Sequence, residues 1–485
     1  MSHRDKIVSE SGGRHFNRRE VLELAAAGLI AGGIGSCSLR DKENEPESLT
    51  PFQYRVSVGW LRDLASEPTP GEIWPCIRWD DKLTEDQLGY LKAEAELGMN
   101  YDCAWGLFRA RDWPVPFENV IDDRRAERLK IFVEAAHRLG VKILAGVGVY
   151  SWQFDEVIRK VPGVSAGDSH SMCPQKEPAW DWMRRVLDYH LEPAWGLDGI
   201  SMQSADLGRC ECPECSRMSP AEHHALVLTR SAEYVRQNRP DWNIGQASWG
   251  LRVDQESEFP YVKKISGAVD YMVEVDELSA KSGRRAAIIA GLGCAFGSLG
   301  GVFLEPPQHW DRLRWFVPCG LGSAGTLARL RQDGGLACEY FYRPFANPVE
   351  EVSWRTGAKI LSAPSTPVET ALADAINAVY GATGQELSTL AEWFSRGELA
   401  YFSRVKFKPG DGSISLEPLI WKEDPAAAGP PVYLQRITPE NRPGYAMELR
   451  ELKNELTAMA VPNREAVDKT LECIDGTLND LAGLA

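Results

Sequence analysis

The sequence lacks an excess of positive charge. Its 54 Lys and Arg residues are outnumbered by 69 Asp and Glu residues, which gives a formal net charge of −15. Nucleic acids and anionic membrane surfaces repel a chain of this charge, so neither is an expected partner. A local basic pocket for an acidic sugar is still compatible with this balance.

The sequence also lacks the histidine pattern of a metal-dependent hydrolase. Its 8 His residues are scattered, and no H-x-H motif follows the first predicted strand. Nothing in it resembles a thioredoxin-type redox unit, whose reactive cysteine has an identifiable setting. Both of these enzyme classes are therefore disfavoured.

No apolar run at the start of the chain is long enough for a permanent membrane span. Residues 21–34 form a run of only about 14 residues, and a spanning helix needs about 20. Arg18 and Arg19 precede this run, and the sequence IGSC ends at Cys37, which together are typical of a twin-arginine lipoprotein signal.

We expect residues 1–37 to be this signal and residues 38–53 to be a polar tether. Cys37 would carry the lipid. The protein would then be exported by the twin-arginine route and be periplasmic or membrane-anchored. The alternative is a poorly ordered N-terminal helix.

From residue 54 the chain alternates predicted strands with predicted helices. Strands are expected at residues 54–60, 100–106, 141–150, 197–203, 242–249, 269–275, either 286–290 or 301–305, and 336–342. Repeated strand–helix units are typical of the α/β class and of its closed barrels. We therefore predict a (β/α)8 TIM-like barrel of catalytic type over residues 54–349.

The pattern changes after the last predicted strand. Helical periodicity dominates near residues 366–380, 385–395, 442–459 and 464–481. This predicts a mainly α-helical C-terminal domain over residues 350–485. Two helix starts in the barrel carry predicted capping boxes, Thr84 with Gln87 and Ser219 with Glu222.

Residues 198–215, DGISMQSADLGRCECPEC, contain the most specific pattern of the sequence. An alternating apolar strand leads to Asp206, and a C-x-C-x-x-C array of Cys210, Cys212 and Cys215 follows it. A parallel barrel builds its active site from residues at the carboxyl ends of its strands, so Asp206 is a candidate catalytic residue. Its alternative role is a structural cap on the cysteine loop.

The three thiols of this array could bind one tetrahedral metal ion. Cys173 is the candidate fourth ligand, and His170 is the alternative. A structural zinc is one interpretation of the array, a disulfide in an exported protein is another, and free thiols are the third. In the first two cases the array fixes the loop beyond Asp206, and no cofactor is expected for catalysis.

Four further acidic residues follow or lie in predicted strands. Glycoside cleavage generally uses two carboxyl groups on either side of the scissile bond. Glu274 and Asp276 end the sixth strand, Glu305 ends the seventh, and Glu339 lies in the eighth. Glu274, Glu305 and Glu339 are candidate catalytic residues, and Asp276 is a candidate for substrate binding.

Glu274 lies within the apolar run YMVEV. A carboxylate in such a place needs a charged partner or a proton, and the protonated form is what a general acid requires. The alternative is an ion pair with Arg78 or Arg343.

Sugar-binding candidates lie at the same strand ends. Trp105, Trp152 and Trp249 follow strands two, three and five, where an indole can stack on a sugar face or pack in the core. Gln203 ends strand four and is a candidate hydrogen-bond partner of a hydroxyl group. Arg109 and Arg111 could bind a uronic acid carboxylate, although solvated loop arginines are the commoner case.

Two segments carry a resemblance to a known group of proteins. DGISMQSADLGRCECPEC and the later ALADAINAVYG resemble bacterial exported TIM-barrel glycoside-hydrolase-like proteins with a C-x-C-x-x-C loop after strand four. These proteins are related to the α-glucuronidase and hexosaminidase barrels, and the resemblance spans roughly residues 70–400. It implies a glycoside-hydrolase-like fold and a carbohydrate ligand.

The chain departs from the α-glucuronidases at one position. Their acid is a Glu just after an Ala-Asp pair, whereas Leu207 follows Ala205 and Asp206 here. Two functions are therefore expected. The first is an exported glycoside hydrolase that cleaves an O-glycosidic bond of a polysaccharide-derived sugar. The second is a catalytically inactive, carbohydrate-binding barrel lipoprotein.

Overall fold

The computed structural model describes most of the chain beyond its N-terminal segment. The described residues are 49–60, 79–108, 113–151, 153–166, 171–204, 208–248, 251–274, 278–301, 315–343, 347–405, 434 and 436–484. Leu49–Ala485 form one compact unit, whereas Met1–Ser48, with the expected signal and most of the tether, lie outside the described residues. In the described ranges no helix combines the length and apolar character of a membrane span.

Eight parallel strands form a closed barrel. They are β1 (Tyr54–Trp60), β2 (Tyr101–Trp105), β3 (Lys142–Val149), β4 (Gly199–Ser204), β5 (Asn243–Ser248), β6 (Tyr271–Glu274), β7 (Ala295–Gly301) and β8 (Ala337–Arg343). Each strand pairs with the next in the chain, and β8 pairs with β1. The predicted (β/α)8 fold is confirmed.

Helices surround the barrel and continue beyond it. The barrel connections contain Asp81–Glu96, Asp123–Arg138, Asp155–Lys160, Glu177–Leu191, Pro220–Asn238, Phe259–Ser266, Leu278–Lys281, Arg285–Ala290 and Gly320–Gln332. The C-terminal region contains Pro348–Ser362, Val368–Tyr380, Gly384–Phe402, Arg442–Ala458 and Arg464–Ala482. The mainly helical character predicted for this region is confirmed.

The helix Pro348–Ser362 belongs to both parts of the fold. Its Val349 and Val352 pack in the core of the C-terminal helices. Its Trp354 and Ile360 pack in a second core with Tyr340 of β8. This helix therefore packs against both the barrel and the C-terminal helices.

The two predicted capping boxes have different outcomes. Ser219 accepts a hydrogen bond from the Glu222 N–H and Glu222 accepts one from the Ser219 N–H, so this capping box is confirmed. The helix Asp81–Glu96 begins earlier than predicted, because Asp80 accepts a 2.8 Å hydrogen bond from the Leu83 N–H. Thr84 instead lies inside the helix, where its hydroxyl donates to the Asp80 carbonyl.

The position of β7 was predicted wrongly. Residues 286–290 belong to the helix Arg285–Ala290, and β7 is the glycine-rich segment Ala295–Gly301. A Cβ on Gly297 would lie 1.5 Å from the Ala337 carbonyl oxygen, so the close approach of β7 to β8 requires a glycine. Residues 302–305 of the alternative prediction, 301–305, lie outside the described part of the chain, and Glu305 follows the last residue of β7 by four positions in the sequence.

The amino ends of the strands are closed by side chains that bind backbone N–H groups. One polar residue lies just before each of β2, β4 and β6, and it accepts a hydrogen bond from the start of the preceding strand. The pairs are Asn100 with the Arg55 N–H, Asp198 with the Ile143 N–H, and Asp270 with the Ile244 N–H. These repeated hydrogen bonds lie at the amino ends of the strands, the end of such barrels that contributes to stability. The carboxyl ends of the strands are the end that carries function.

The barrel interior is a packed core. Tyr54 contacts the rings of Tyr101 and Tyr271, with centroids 5.5 and 4.8 Å away. A Cβ on Gly245 would lie 2.1 Å from the Tyr271 ring, so the tyrosine occupies the space that the glycine leaves. Above this layer the carboxyl ends of the strands form the mouth of the barrel.

Candidate functional site at the carboxyl ends of the strands

Gln203 is the described candidate that is most accessible at the barrel mouth. Ser201 points into the barrel, where its hydroxyl donates to Glu339. Alternation along β4 turns Gln203, two residues later, to the same inner face. Gln203 is half-buried, whereas its strand neighbours Met202 and Ser204 are fully buried. The side chain can therefore meet a ligand in the mouth.

Trp105 lies at the end of β2 and is enclosed. Its side chain is 3% exposed. Its ring covers Gly146 of β3, where an added Cβ would lie 2.3 Å from the indole. Trp105 thus fills the upper barrel interior, and stacking on a sugar would require contact through the small remaining exposed area.

Glu274 ends β6 and is 4% exposed. Tyr271 points into the barrel, so alternation turns Glu274 toward the surrounding helices. Both carboxylate oxygens accept 3.2 Å hydrogen bonds from the Ser279 N–H, and the Ser279 hydroxyl also donates to Glu274. This geometry ties the end of β6 to the helix Leu278–Lys281 across residues 275–277, which include Asp276.

Glu339 lies inside the barrel, below the mouth. It is the third residue of β8 and is 1% exposed. Its Oε1 accepts hydrogen bonds from the Ser201 hydroxyl at 2.5 Å and from the Tyr271 hydroxyl at 2.7 Å. Burial raises the pKa of Glu339, and the two donors act in the opposite direction. These contacts connect β4, β6 and β8 across the interior.

Several predicted site residues lie outside the described part of the chain. They are Asp206, Asp276, Glu305, Trp152, Trp249, Arg109, Arg111 and His170. The same holds for Arg78 and for the Arg343 side chain, which were the expected partners of Glu274. The proposed carboxyl pair of Asp206 and Glu305 and the aromatic platform with Trp152 and Trp249 therefore stay predictions.

The structure does bring the four predicted cysteines together. The Sγ atoms of Cys173, Cys210, Cys212 and Cys215 all lie within 4.8 Å of one another. The Cys215 N–H donates to the Cys212 Sγ and lowers the pKa of that thiol to about 7. Burial raises the pKa of Cys210 to about 12 and also raises that of Cys215.

Two histidines near the end of β4 were not among the sequence-based candidates. The Ser204 hydroxyl lies 2.5 Å from Nδ1 of His224. Burial lowers the pKa of His224 to about 3 and that of His223 to about 4, so both rings are neutral at physiological pH. The only signal in the sequence is the His-His pair in the first turns of the helix that follows the cysteine array.

The backbone beyond β3 is strained next to this region. Tyr150 and Gln153 have backbone φ angles of 65° and 74°, which residues other than glycine rarely adopt. The Tyr150 carbonyl accepts a 2.7 Å hydrogen bond from the Met172 N–H, and the Gln153 Oε1 accepts one from the Gly148 N–H at 3.3 Å. Strain of this kind is concentrated at functional sites.

No protein-family model and no curated protein matches the sequence. Solved structures do match the fold. A GH138 enzyme targeting pectin rhamnogalacturonan II is 10% identical with a TM-score of 0.54, and the match covers 90% of this chain but only 57% of that one.

Two further matches are a mutant O-GlcNAc hydrolase of Thermobaculum terrenum and CpGH84B. The first is 12% identical with a TM-score of 0.48 and covers 89% of this chain and 81% of the other. The second is 13% identical with a TM-score of 0.47 and covers 90% and 68%. The chain has a closed (β/α)8 barrel with a helical C-terminal region, and its fold is similar to that of the GH138 enzyme.

Proposed function

We propose that this protein is a glycoside hydrolase that cleaves an O-glycosidic bond of a polysaccharide-derived sugar at the carboxyl ends of the barrel strands. The observation that carries the proposal is the position of Gln203. It is the accessible polar residue of the inner face of β4, and Asp206 follows the end of this strand by two residues. The strained segment after the neighbouring β3 supports the same location.

We assign the reacting carboxyl groups to Asp206 and Glu305. One carboxyl group must protonate the leaving oxygen while the other, ionised, acts as nucleophile or activates water. Asp206 and Glu305 follow the carboxyl ends of β4 and β7 in the sequence, whereas the hydrogen bonds of Glu274 and Glu339 give those two residues structural roles. Glu274 is a positioning residue for the loop with Asp276, and Glu339 stabilises the barrel interior.

The second candidate function is sugar binding without catalysis. Leu207 stands at the position where the resembling α-glucuronidases have their acid. An inactive barrel would retain Gln203 and the mouth but lack one member of the carboxyl pair. The two functions differ in turnover, not in affinity for a sugar.

The experiment measures hydrolysis of aryl glycosides of uronic acids and N-acetylhexosamines by the purified protein. We expect turnover of at least one glycoside, a loss of about 100-fold or more in Asp206→Asn and Glu305→Gln, and a smaller loss in Glu274→Gln. Glu211→Gln, an exposed carboxylate in the cysteine loop, is the matched control. Sugar binding without any turnover would favour the second function, and neither binding nor turnover would contradict both.

We also propose that the protein is exported by the twin-arginine route and lipidated at Cys37. The support is the order Arg18-Arg19, apolar run and Cys37 in the sequence. Replacing both arginines by lysine should leave the full precursor in the cytoplasm, and Cys37→Ser should abolish labelling by a fatty acid. Unchanged fractionation of both variants would contradict the assignment.

A further inference from the structure

Four clustered cysteines form a site that takes no part in the proposed hydrolysis. They are Cys173, before the helix Glu177–Leu191, and Cys210, Cys212 and Cys215, after β4. We propose that this cysteine cluster binds one zinc ion, which holds together the connections that follow β3 and β4.

The spacing of the sulfur atoms fits a tetrahedral ion. The Zn–S distance of about 2.3 Å places the sulfurs of a tetrahedral site about 3.8 Å apart. The Sγ atoms of Cys173 and Cys212 lie 3.8 Å apart, and all four sulfurs lie within 4.8 Å of one another. A disulfide needs about 2.05 Å between two sulfurs, and each of these cysteines is a free thiol in the structure.

The backbone around the cluster is arranged to stabilise thiolates. The Cys215 N–H donates to the Cys212 Sγ at 3.4 Å, and the Ser216 N–H donates to the Cys212 carbonyl at 2.8 Å. These bonds close a tight turn between the last two cysteines of the array. An N–H group directed at a sulfur offsets the negative charge that a metal-binding thiolate carries.

The cluster is largely buried and supplies four protein ligands. Cys173, Cys210 and Cys215 are fully buried, and Cys212 is half-buried. Structural zinc sites are four-coordinate and closed, whereas catalytic sites keep an open position for water. Four sulfur ligands in a tetrahedron select zinc or iron–sulfur chemistry over hard cations. The site therefore fits a structural ion.

The ion would cross-link two segments that are far apart in sequence. Cys173 and Cys212 are separated by 39 residues. The Cys173 N–H is bonded to the Val164 carbonyl, which belongs to the same connection as the strained residues Tyr150 and Gln153. On the other side the cluster begins four residues after Asp206. Metal binding would thus fix both sides of the mouth at β3 and β4.

The test is the metal content of the full chain purified without chelators. Elemental analysis should give about one zinc per chain, and Co²⁺ in its place should give the intense visible bands of a tetrahedral thiolate site. Cys212→Ser should lose most of the zinc. Cys294→Ser, which alters a half-buried cysteine outside the cluster, should keep it.

A thiol count on the native wild-type protein makes the test independent of variant folding. With zinc bound, the four thiols should resist alkylation until a strong chelator is added, and the denatured mass should show no loss of hydrogen at these cysteines. A denatured mass that is lower by two hydrogens, in protein that contains no metal, would show that the cysteines form a disulfide and do not bind zinc. Alkylation without chelator and without metal would establish free thiols, and either result overturns the proposal. None of these readouts depends on glycosidase activity.

Discussion

The Tyr271 hydroxyl donates a 2.7 Å hydrogen bond to the Glu339 carboxyl group across the barrel interior. The Ser201 hydroxyl donates to the same oxygen at 2.5 Å. Three strands are thereby connected at a level where the other interior side chains are mostly apolar. A buried network of this kind stabilises one arrangement of the strands as long as its members remain partnered.

Glu339→Gln should change how stability depends on pH. The native pKa of Glu339 is raised above its ordinary value of 4.5, so above pH 4.5 the native state binds more protons at this site than the unfolded state. The contribution of this proton binding to the free energy of unfolding is fully present below pH 4.5 and is lost as pH rises through the native pKa of Glu339. Urea denaturation should therefore show the wild type losing stability relative to Glu339→Gln as pH increases from 4.5.

Exposed Glu386 is the control for removing one negative charge. Glu386→Gln should follow the wild type over the same pH range. A constant free-energy difference between wild type and Glu339→Gln at all pH values would contradict the assigned role of Glu339.

Gly245→Ala should destabilise the barrel by about 1–3 kcal/mol. The new methyl group would lie 2.1 Å from the Tyr271 ring, and the ring is held by its hydrogen bond to Glu339. Gly89→Ala is the matched control, because no atom lies within 4 Å of its added Cβ and alanine favours the helix by roughly 0.5–1 kcal/mol. Equal effects of the two changes on the free energy of unfolding would contradict this packing.

Glu398 connects the C-terminal helices to the barrel. Its carboxylate accepts hydrogen bonds from the Leu321 and Gly322 N–H groups at 3.0 and 2.7 Å, at the start of the helix Gly320–Gln332. Burial raises the pKa of Glu398 from 4.5 to about 7, against the effect of these two donors. The native state therefore holds an extra proton between these pH values.

Glu398→Gln should remove a pH-dependent contribution to stability near neutrality. Because the native pKa is raised, the contribution is complete below pH 4.5 and is lost by about pH 7. The loss for the wild type relative to the variant should approach roughly 3 kcal/mol, measured by denaturation at pH 4.5, 6 and 8. If the wild type instead gained stability relative to Glu398→Gln as pH rises, the two amide donors would have a larger effect on the pKa of Glu398 than burial has.

Most of the barrel could be predicted because buried parallel strands are short apolar runs between capped helices. β7 is the exception. Its sequence AFGSLGG has little apolar content, because its backbone approaches β8 at Gly297 and side chains are excluded there. The start of the helix at Asp80 was missed because two residues capable of capping, Asp80 and Thr84, lie one turn apart.

The candidate site was less predictable because it depends on how deep each side chain lies in the barrel and on which face of its strand it lies. The C-x-C-x-x-C spacing sufficed to predict that three thiols lie together, and Cys173, one of the two candidates for a fourth ligand, lies with them. The sequence could not show that Glu339 lies below the mouth, since its level is set by the register of β8 against β1 and β7. Ser204 and His224 are 20 residues apart, and only the packing of a helix on β4 brings them together.

Gln203→Ala should weaken sugar binding without unfolding the protein. Gln203 is half-buried on the inner face of β4, so its amide can bond a sugar hydroxyl in the mouth, and within the described residues its side chain has no recorded hydrogen bond that holds a strand. Loss of one such hydrogen bond corresponds to about 3- to 10-fold weaker binding. The measurement is the dissociation constant of the sugar released by the best glycoside, or KM for that glycoside.

Gln53→Ala provides the matched control at the opposite end of the barrel. Gln53 has an exposed side chain just before β1, on the face that stabilises the fold. Its replacement should leave both the dissociation constant and KM unchanged. If Gln53→Ala weakened sugar binding and Gln203→Ala did not, the ligand would bind at the amino ends of the strands. The location proposed for the active site would then be wrong.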